Sequence, residues 1–351
     1  MIAFAANHCS VGLAVLLFSS VGTFGIDSDW NRLSPLPDRE GFAGPFAGVS
    51  HGALLVAGGA NFPGKKPWEG GKKVWSDAVY VLDRPNGEWK VAGKLPRPLG
   101  YGVSVTHRDG VICVGGSDAD KHFADAFRLE WNEGKLKCTS LPALPKPVAN
   151  ACGALVGDVL YLAGGQEKPD STSTFKAVWS IDLAAKEPKW KPVEAWPGSG
   201  RMLAMAAGFD GQFWLVGGVD LVEKDGKAER RYLKDAYRYD PKSGWKRIAD
   251  LPTPLAAATS PAPFDKSGVH ILGGDDGLQA GVAPDRHRGF RKTILRYMAS
   301  HDRWAEAGEF PAASVTVPCV RWGETWIVSS GEIRPGIRTP AVWQWRPGHQ
   351  E

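Results

Sequence analysis

Short apolar runs ending in paired glycines recur along the chain: Leu-Val-Ala-Gly-Gly at 55–59, Ile-Cys-Val-Gly-Gly at 112–116, Tyr-Leu-Ala-Gly-Gly at 161–165, Trp-Leu-Val-Gly-Gly at 214–218 and Ile-Leu-Gly-Gly at 271–274. A sixth run ends in Ser330-Gly331-Glu332. The last glycines, Gly59, Gly116, Gly165, Gly218, Gly274 and Gly331, are separated by 57, 49, 53, 56 and 57 residues. A period near fifty with paired glycines predicts an all-β, six-bladed kelch-type β-propeller, with each apolar run as the second strand of a blade. No stretch sustains a helical period.

An independent marker agrees. Trp30, Trp89, Trp190, Trp245 and Trp304 each precede a proline by seven residues, and Cys138 with Pro145 keeps the spacing in the second copy. These positions fall on the outermost strand of each blade, where a large ring covers the groove between neighbours. Trp30 has no glycine pair before it, and the Gly331 copy lacks the outer-strand tryptophan due some 25 to 30 residues later. The two halves complete one blade: residues 312–346 supply three strands, residues 29–36 supply the fourth, and the sheet has no open edge.

Composition narrows the class. Gly 43 and Pro 26 suit many short strands and tight turns, and 43% hydrophobic residues suffice for a core. The chain reads as one propeller over 26–351 after an expected signal peptide at 1–25. That segment carries an apolar run, 11–18, followed by small residues, and it implies a periplasmic or secreted protein. The run is too short to cross a membrane. Five cysteines show no metal-ligand spacing, and the eight histidines are scattered, so no metal and no cofactor is expected.

A net charge of +4 is too small to suggest nucleic acid as a partner. The loops that follow the glycine pairs nevertheless sum to +5, more than the whole chain, so one face of the disc favours a small anion.

In a propeller these loops converge on the mouth of the central channel. Asn61, Asp118, Glu167, Asp220 and Asp276 are expected at the place that Glu332 takes in the sixth blade. Glu332 and Arg338 are six residues apart around Pro335-Gly336, a turn-forming pair that can bring both side chains to one site. Together a guanidinium and a glutamate can hold a carboxylate and move a proton. Taken alone, a Glu and an Arg on one loop are more often a surface ion pair.

The stretch Ser330-Gly331-Glu332-Ile333-Arg334-Pro335-Gly336-Ile337-Arg338-Thr339 resembles the kelch-type N-acetylneuraminate epimerases, the sialic acid mutarotases. So do Gly41-Phe42-Ala43-Gly44-Pro45-Phe46-Ala47-Gly48-Val49, Ala57-Gly58-Gly59-Ala60-Asn61-Phe62 and Tyr101-Gly102-Val103-Ser104. The resemblance implies an isomerase acting on a small anionic sugar, with Glu332 as proton acceptor and Arg338 as its partner at the substrate. Arg97 or Arg201 is then a candidate second carboxylate partner or a source of acid through bound water, and Asn61 and Tyr101 are candidate contacts to hydroxyl or amide groups. In familiar members the glutamate blade precedes the segment resembling 41–61, so this chain looks cyclically permuted. A non-catalytic kelch module that binds carbohydrate or protein is the alternative, although it would show more apolar loops. A sialidase would show repeated Ser-x-Asp-x-Gly-x-x-Trp turns, which are absent.

Overall fold

The computed structural model describes Met1, residues 29–225 and residues 227–348, and the expected signal peptide lies outside this range. Six four-stranded antiparallel sheets form the ring. Blade 1 comprises Phe46–Ser50, Ala53–Ala57, Ala78–Leu82 and Lys90–Lys94. Blade 6 is built from Cys319–Trp322, Thr325–Ser329, Val342–Arg346 and the N-terminal strand Asp29–Leu33. Trp30 registers with Trp345 across that closure. Its ring stacks on Trp345 at 5.5 Å and on Phe310 of the preceding blade at 5.0 Å, so apolar area ties the N-terminal strand to both. Among the described residues the only helices are two 3-10 turns, Pro67–Glu69 and Ala299–His301.

The tryptophan marker has a polar function as well. The indole N–H of Trp89 donates to the Ser34 carbonyl, Trp190 to Pro142, Trp245 to Glu194 and Trp304 to Ala249, at 2.6–2.9 Å. Each acceptor lies four residues beyond the marker of the preceding blade, so these four tryptophans staple their outer strands to their neighbours. Two staples are missing: Cys138 has no indole to donate, and the buried Trp30 indole N–H has no partner among the described residues. Cys113, Cys138, Cys152 and Cys319 are free thiols.

The glycine pairs are required by backbone approach. A Cβ on Gly58, at φ +65°, would lie 2.2 Å from the Leu99 carbonyl oxygen of the next blade. At the matching place in blade 6 stands Ser330, at φ +77°. Its buried hydroxyl accepts the Phe42 N–H at 2.6 Å and donates to the Thr339 carbonyl at 2.7 Å. The serine therefore fastens the last blade to the first.

Around the axis runs a closed circle of backbone hydrogen bonds. Tyr101 N–H donates to Gly44, Asn150 to Tyr101, Leu203 to Asn150, Ala257 to Leu203, Thr316 to Ala257, and Gly44 back to Thr316, all at 2.7–2.9 Å. All six residues adopt positive φ between 53° and 63°. This geometry turns each carbonyl toward the following blade and narrows the channel to a collar. On one side of the collar lies a wide cavity.

Candidate functional site

The cavity, about 760 Å³, is floored by the collar and walled by the six loops that follow the glycine pairs. Each blade contributes, from Phe62 and Lys73 in the first to Glu332, Pro335, Gly336 and Arg338 in the last. Its volume lies within the range of small-molecule sites.

Glu332 and Arg338 are register partners in a two-stranded hairpin, Glu332–Arg334 with Ile337–Arg338, turned by Pro335-Gly336. Arg338 Nη1 donates to Glu332 Oε1 at 2.9 Å, and the Gly336 N–H donates to the same oxygen at 2.8 Å. Oε2 receives no hydrogen bond from the described residues, which leaves it to meet a ligand. The Arg338 side chain is 4% exposed and that of Glu332 18%. Arg338 is pinned from a second direction: its Nε donates to the Ala60 carbonyl of blade 1 at 3.3 Å, and its guanidinium lies 4.8 Å above the Phe62 ring. A guanidinium has five N–H donors. These contacts engage Nε and Nη1, so N–H donors of the guanidinium remain for a carboxylate.

The hairpin is braced from both flanks. A Cβ on Gly336 would lie 2.8 Å from the Pro67 ring of blade 1. Arg334 reaches the carbonyls of Pro284 and Asp285 in blade 5 at 3.4 and 3.3 Å. Pro335-Gly336 therefore does more than reverse the chain, since only a residue without a side chain allows the turn to seat against its neighbour.

Tyr101 lines the cavity as part of the collar. Burial pushes its phenol well above the ordinary range, and the Arg338 charge opposes that shift. Lys73 lies over the rings of Tyr101 and Trp75, at 4.1 and 4.6 Å from their centroids. Its pKa is lowered to about 8, first by burial and then by Arg338, with Glu332 acting the other way.

Three expected contacts are not brought to the cavity. Arg201 is fully buried, with its guanidinium on Asp235 Oδ2 at 2.7 Å and on the Gly217 carbonyl at 2.9 Å. Its carbonyl accepts the Gly165 N–H, as Leu99, Val148 and Leu255 accept from Gly59, Gly116 and Gly218, so it occupies a position that is apolar in those blades. Arg97 faces the rim, 3.4 Å from Asp125 and 4.5 Å above the Phe123 ring. Buried Asn61 turns away to donate to Asp38 at 3.1 Å.

The counterparts of Glu332 also shift by one residue. Glu332 bridges to Val315, and the matching bridges use Ala60, Ser117, Gln166, Val219 and Asp275. Asn61, Asp118, Glu167, Asp220 and Asp276 each come one position later. Of the true counterparts, Ser117, Gln166 and Asp275 line the cavity, with Asp275 accepting the Tyr232 hydroxyl at 2.6 Å. The residue directly after each glycine pair was the available signal for them. His122, Arg230 and His287 also line the wall. No group of three or more His, Cys, Asp or Glu side chains able to hold a metal occurs among the described residues.

A sequence model described as N-acetylneuraminate epimerase matches residues 19–138 and 141–278. The chain is 46% identical over 110 residues to N-acetylneuraminate epimerase of Yersinia enterocolitica serotype O:8 / biotype 1B, which covers 28% of this chain and 27% of that protein. It is 48% identical over 105 residues to the protein of that name from Salmonella enteritidis PT4, covering 26% and 27%. The aligned stretches thus span about a quarter of the length of these curated relatives. The solved structure of YjhT superposes with a TM-score of 0.65 over 89% of this chain and 95% of that chain, at 16% identity, a likeness of fold. The hairpin of Glu332 and Arg338 lies beyond the matched residues of the family.

Proposed function

The chain belongs to the N-acetylneuraminate epimerase family, and from that premise we propose that it interconverts the α and β anomers of N-acetylneuraminate or a closely related sugar acid. The observation that carries the reading is the Glu332–Arg338 pair, held across a hairpin at 2.9 Å inside the cavity. The anomers of a 2-keto sugar acid exchange by opening to the keto form, rotating about the adjacent bond and closing again. Opening removes the proton of the anomeric hydroxyl, and the carboxylate sits on the same carbon. A fixed guanidinium that grips this carboxylate sets the anomeric hydroxyl beside Glu332, whose free Oε2 takes its proton. Two N–H donors on Glu332 Oε1 hold the carboxylate in one orientation, with Oε2 aimed into the cavity.

The order of blades supports reading this member as cyclically permuted. A family match running from residue 19 to 278 leaves the glutamate blade outside. A blade that has moved from one end of the chain to the other would do so, and closure by the N-terminal strand shows how a ring can be preserved when its seam moves. The leader at 1–25 and export to the periplasm or medium belong to the same proposal, and the mass of the mature protein tests them.

The activity is tested by following anomer exchange of N-acetylneuraminate with NMR saturation transfer, for the wild-type protein and for Glu332→Gln. Wild-type exchange well above the buffer rate, reduced about 100-fold or more in the variant, is expected for loss of a general base. Wild-type exchange no faster than buffer defeats the proposal and favours a binding module.

A further inference from the structure

Ring opening needs a second proton transfer, because the ring oxygen leaves the anomeric carbon as an alkoxide unless it is protonated. Neither Arg97 nor Arg201 can supply that proton, since both lie outside the cavity and a guanidinium does not give up protons near neutrality. Lys73 is differently placed. It immediately precedes the strand Val74–Trp75, which pairs with Ala60–Asn61 above blade 1, and Ala60 registers with Trp75. The Ala60 carbonyl is also the oxygen to which Arg338 donates. The short strand therefore fixes the lysine and the arginine on one corner of the cavity. Tyr101 closes the same corner, with the Lys73 ammonium 4.1 Å above its ring. Among the described residues Lys73 has no carboxylate within ion-pair distance, so its N–H donors are held by ring faces rather than consumed by a salt bridge.

Resting on the function proposed above, we propose that Lys73 is the acid of the opening step, its ammonium protonating the ring oxygen as Glu332 takes the proton of the anomeric hydroxyl. The bond between the anomeric carbon and the ring oxygen breaks, and its electron pair stays on that oxygen, which gains the proton of Lys73. The O–H electrons of the anomeric hydroxyl form the keto carbonyl. After rotation the neutral amine takes back the proton of the former ring hydroxyl as that oxygen attacks the other face. Glu332 returns its proton to the carbonyl oxygen, so no proton is gained or lost over the cycle. The groups facing Lys73 that tune this exchange are Arg338 and Glu332 on the hairpin and Tyr101 on the collar. A lowered ammonium pKa suits the role, because an acid works best near the pH at which it operates.

Lys73→Arg separates proton donation from charge. It retains a cation at this corner of the cavity but cannot release a proton near neutrality. We expect the variant to fold, to bind N-acetylneuraminate within about threefold of wild type by calorimetry, and to lose roughly 100-fold in exchange rate, the usual size of an acid–base contribution. In the wild type the rate should fall as pH rises through about 8, because the ammonium is then lost; that limb should vanish in the variant. If arginine does not fit the corner, Lys73→Met is read in its place, and its residual exchange should show no such limb. An active wild type with Lys73→Arg of equal rate, or with the alkaline limb unchanged in either variant, overturns the acid role and leaves the mutarotase reading intact. A wild type that does not accelerate exchange overturns both.

Discussion

Glu332 and Arg338 stand directly opposite one another in an antiparallel register, with their charged atoms 2.9 Å apart and the Gly336 N–H on the same carboxylate oxygen. Because the arginine is anchored to the Ala60 carbonyl of another blade, its plane is set before any ligand arrives.

Replacement of Arg338 by lysine keeps the charge and loses the planar fork. We expect substrate binding to weaken about 10- to 100-fold, the worth of one charge-assisted hydrogen bond, with a smaller effect on the rate at saturation. A titration of exchange rate against substrate concentration measures both quantities. An unchanged KM would mean that Arg338 does not hold the carboxylate.

Arg201 and Asp235 make a contrasting pair, buried and away from the cavity. Asp235→Ala should cost about 3–5 kcal/mol, because it strands a desolvated guanidinium. The double replacement Arg201→Met with Asp235→Leu should cost much less, and its KM should match wild type. Urea denaturation with exchange kinetics on the same samples tests this, and a raised KM in the double variant would assign Arg201 a part in binding.

Ser330 fastens blade 6 to blade 1 through its hydroxyl. Ser330→Ala should destabilise by about 1–3 kcal/mol, since it leaves the buried Phe42 N–H without its acceptor. Ser330→Gly loses the same bonds but relieves the positive φ, so it should be less costly by about 1 kcal/mol. Thermal melts of the two variants rank them.

Trp30→Ala removes the stacking that holds the N-terminal strand against Phe310 and Trp345. A loss of about 3 kcal/mol is expected, the low end for a tryptophan because the ring is half-buried. Hydrogen exchange should show the strand Val342–Arg346 opening first, and uniform opening of all six blades would count against blade 6 as the weak seam.

Stability should also depend on pH through Lys73. Its pKa is 10.5 in an unfolded chain and about 8 in the fold. Between those values the unfolded state binds more protons, so stability rises with pH as the cost of the buried charge disappears. Lys73→Met should flatten that part of the curve measured by urea unfolding between pH 8 and 10.5.

Repetition along the chain was enough to determine the architecture. Period, glycine pairs and the tryptophan–proline spacing each report a feature that every blade must share, and the unmatched Trp30 and Gly331 identify the closure. The Pro335-Gly336 turn likewise marked Glu332 and Arg338, because a hairpin brings its own two strands together whatever surrounds it. What the tertiary structure alone decided is which residues join them. The loops differ in length from blade to blade, so their convergence depends on where the collar holds each one. The one-residue shift from Asn61, Asp118, Glu167, Asp220 and Asp276 to the true counterparts of Glu332 was legible in the position directly after each glycine pair, and the bridges fixed it. Arg201 needed Asp235, thirty-four residues away, to be recognised as a buried structural ion pair. Lys73, one of four lysines on a basic loop, became distinct only when Tyr101 was seen beneath it beside its own loop's Trp75, since a cation's role depends on neighbours contributed by other parts of the ring.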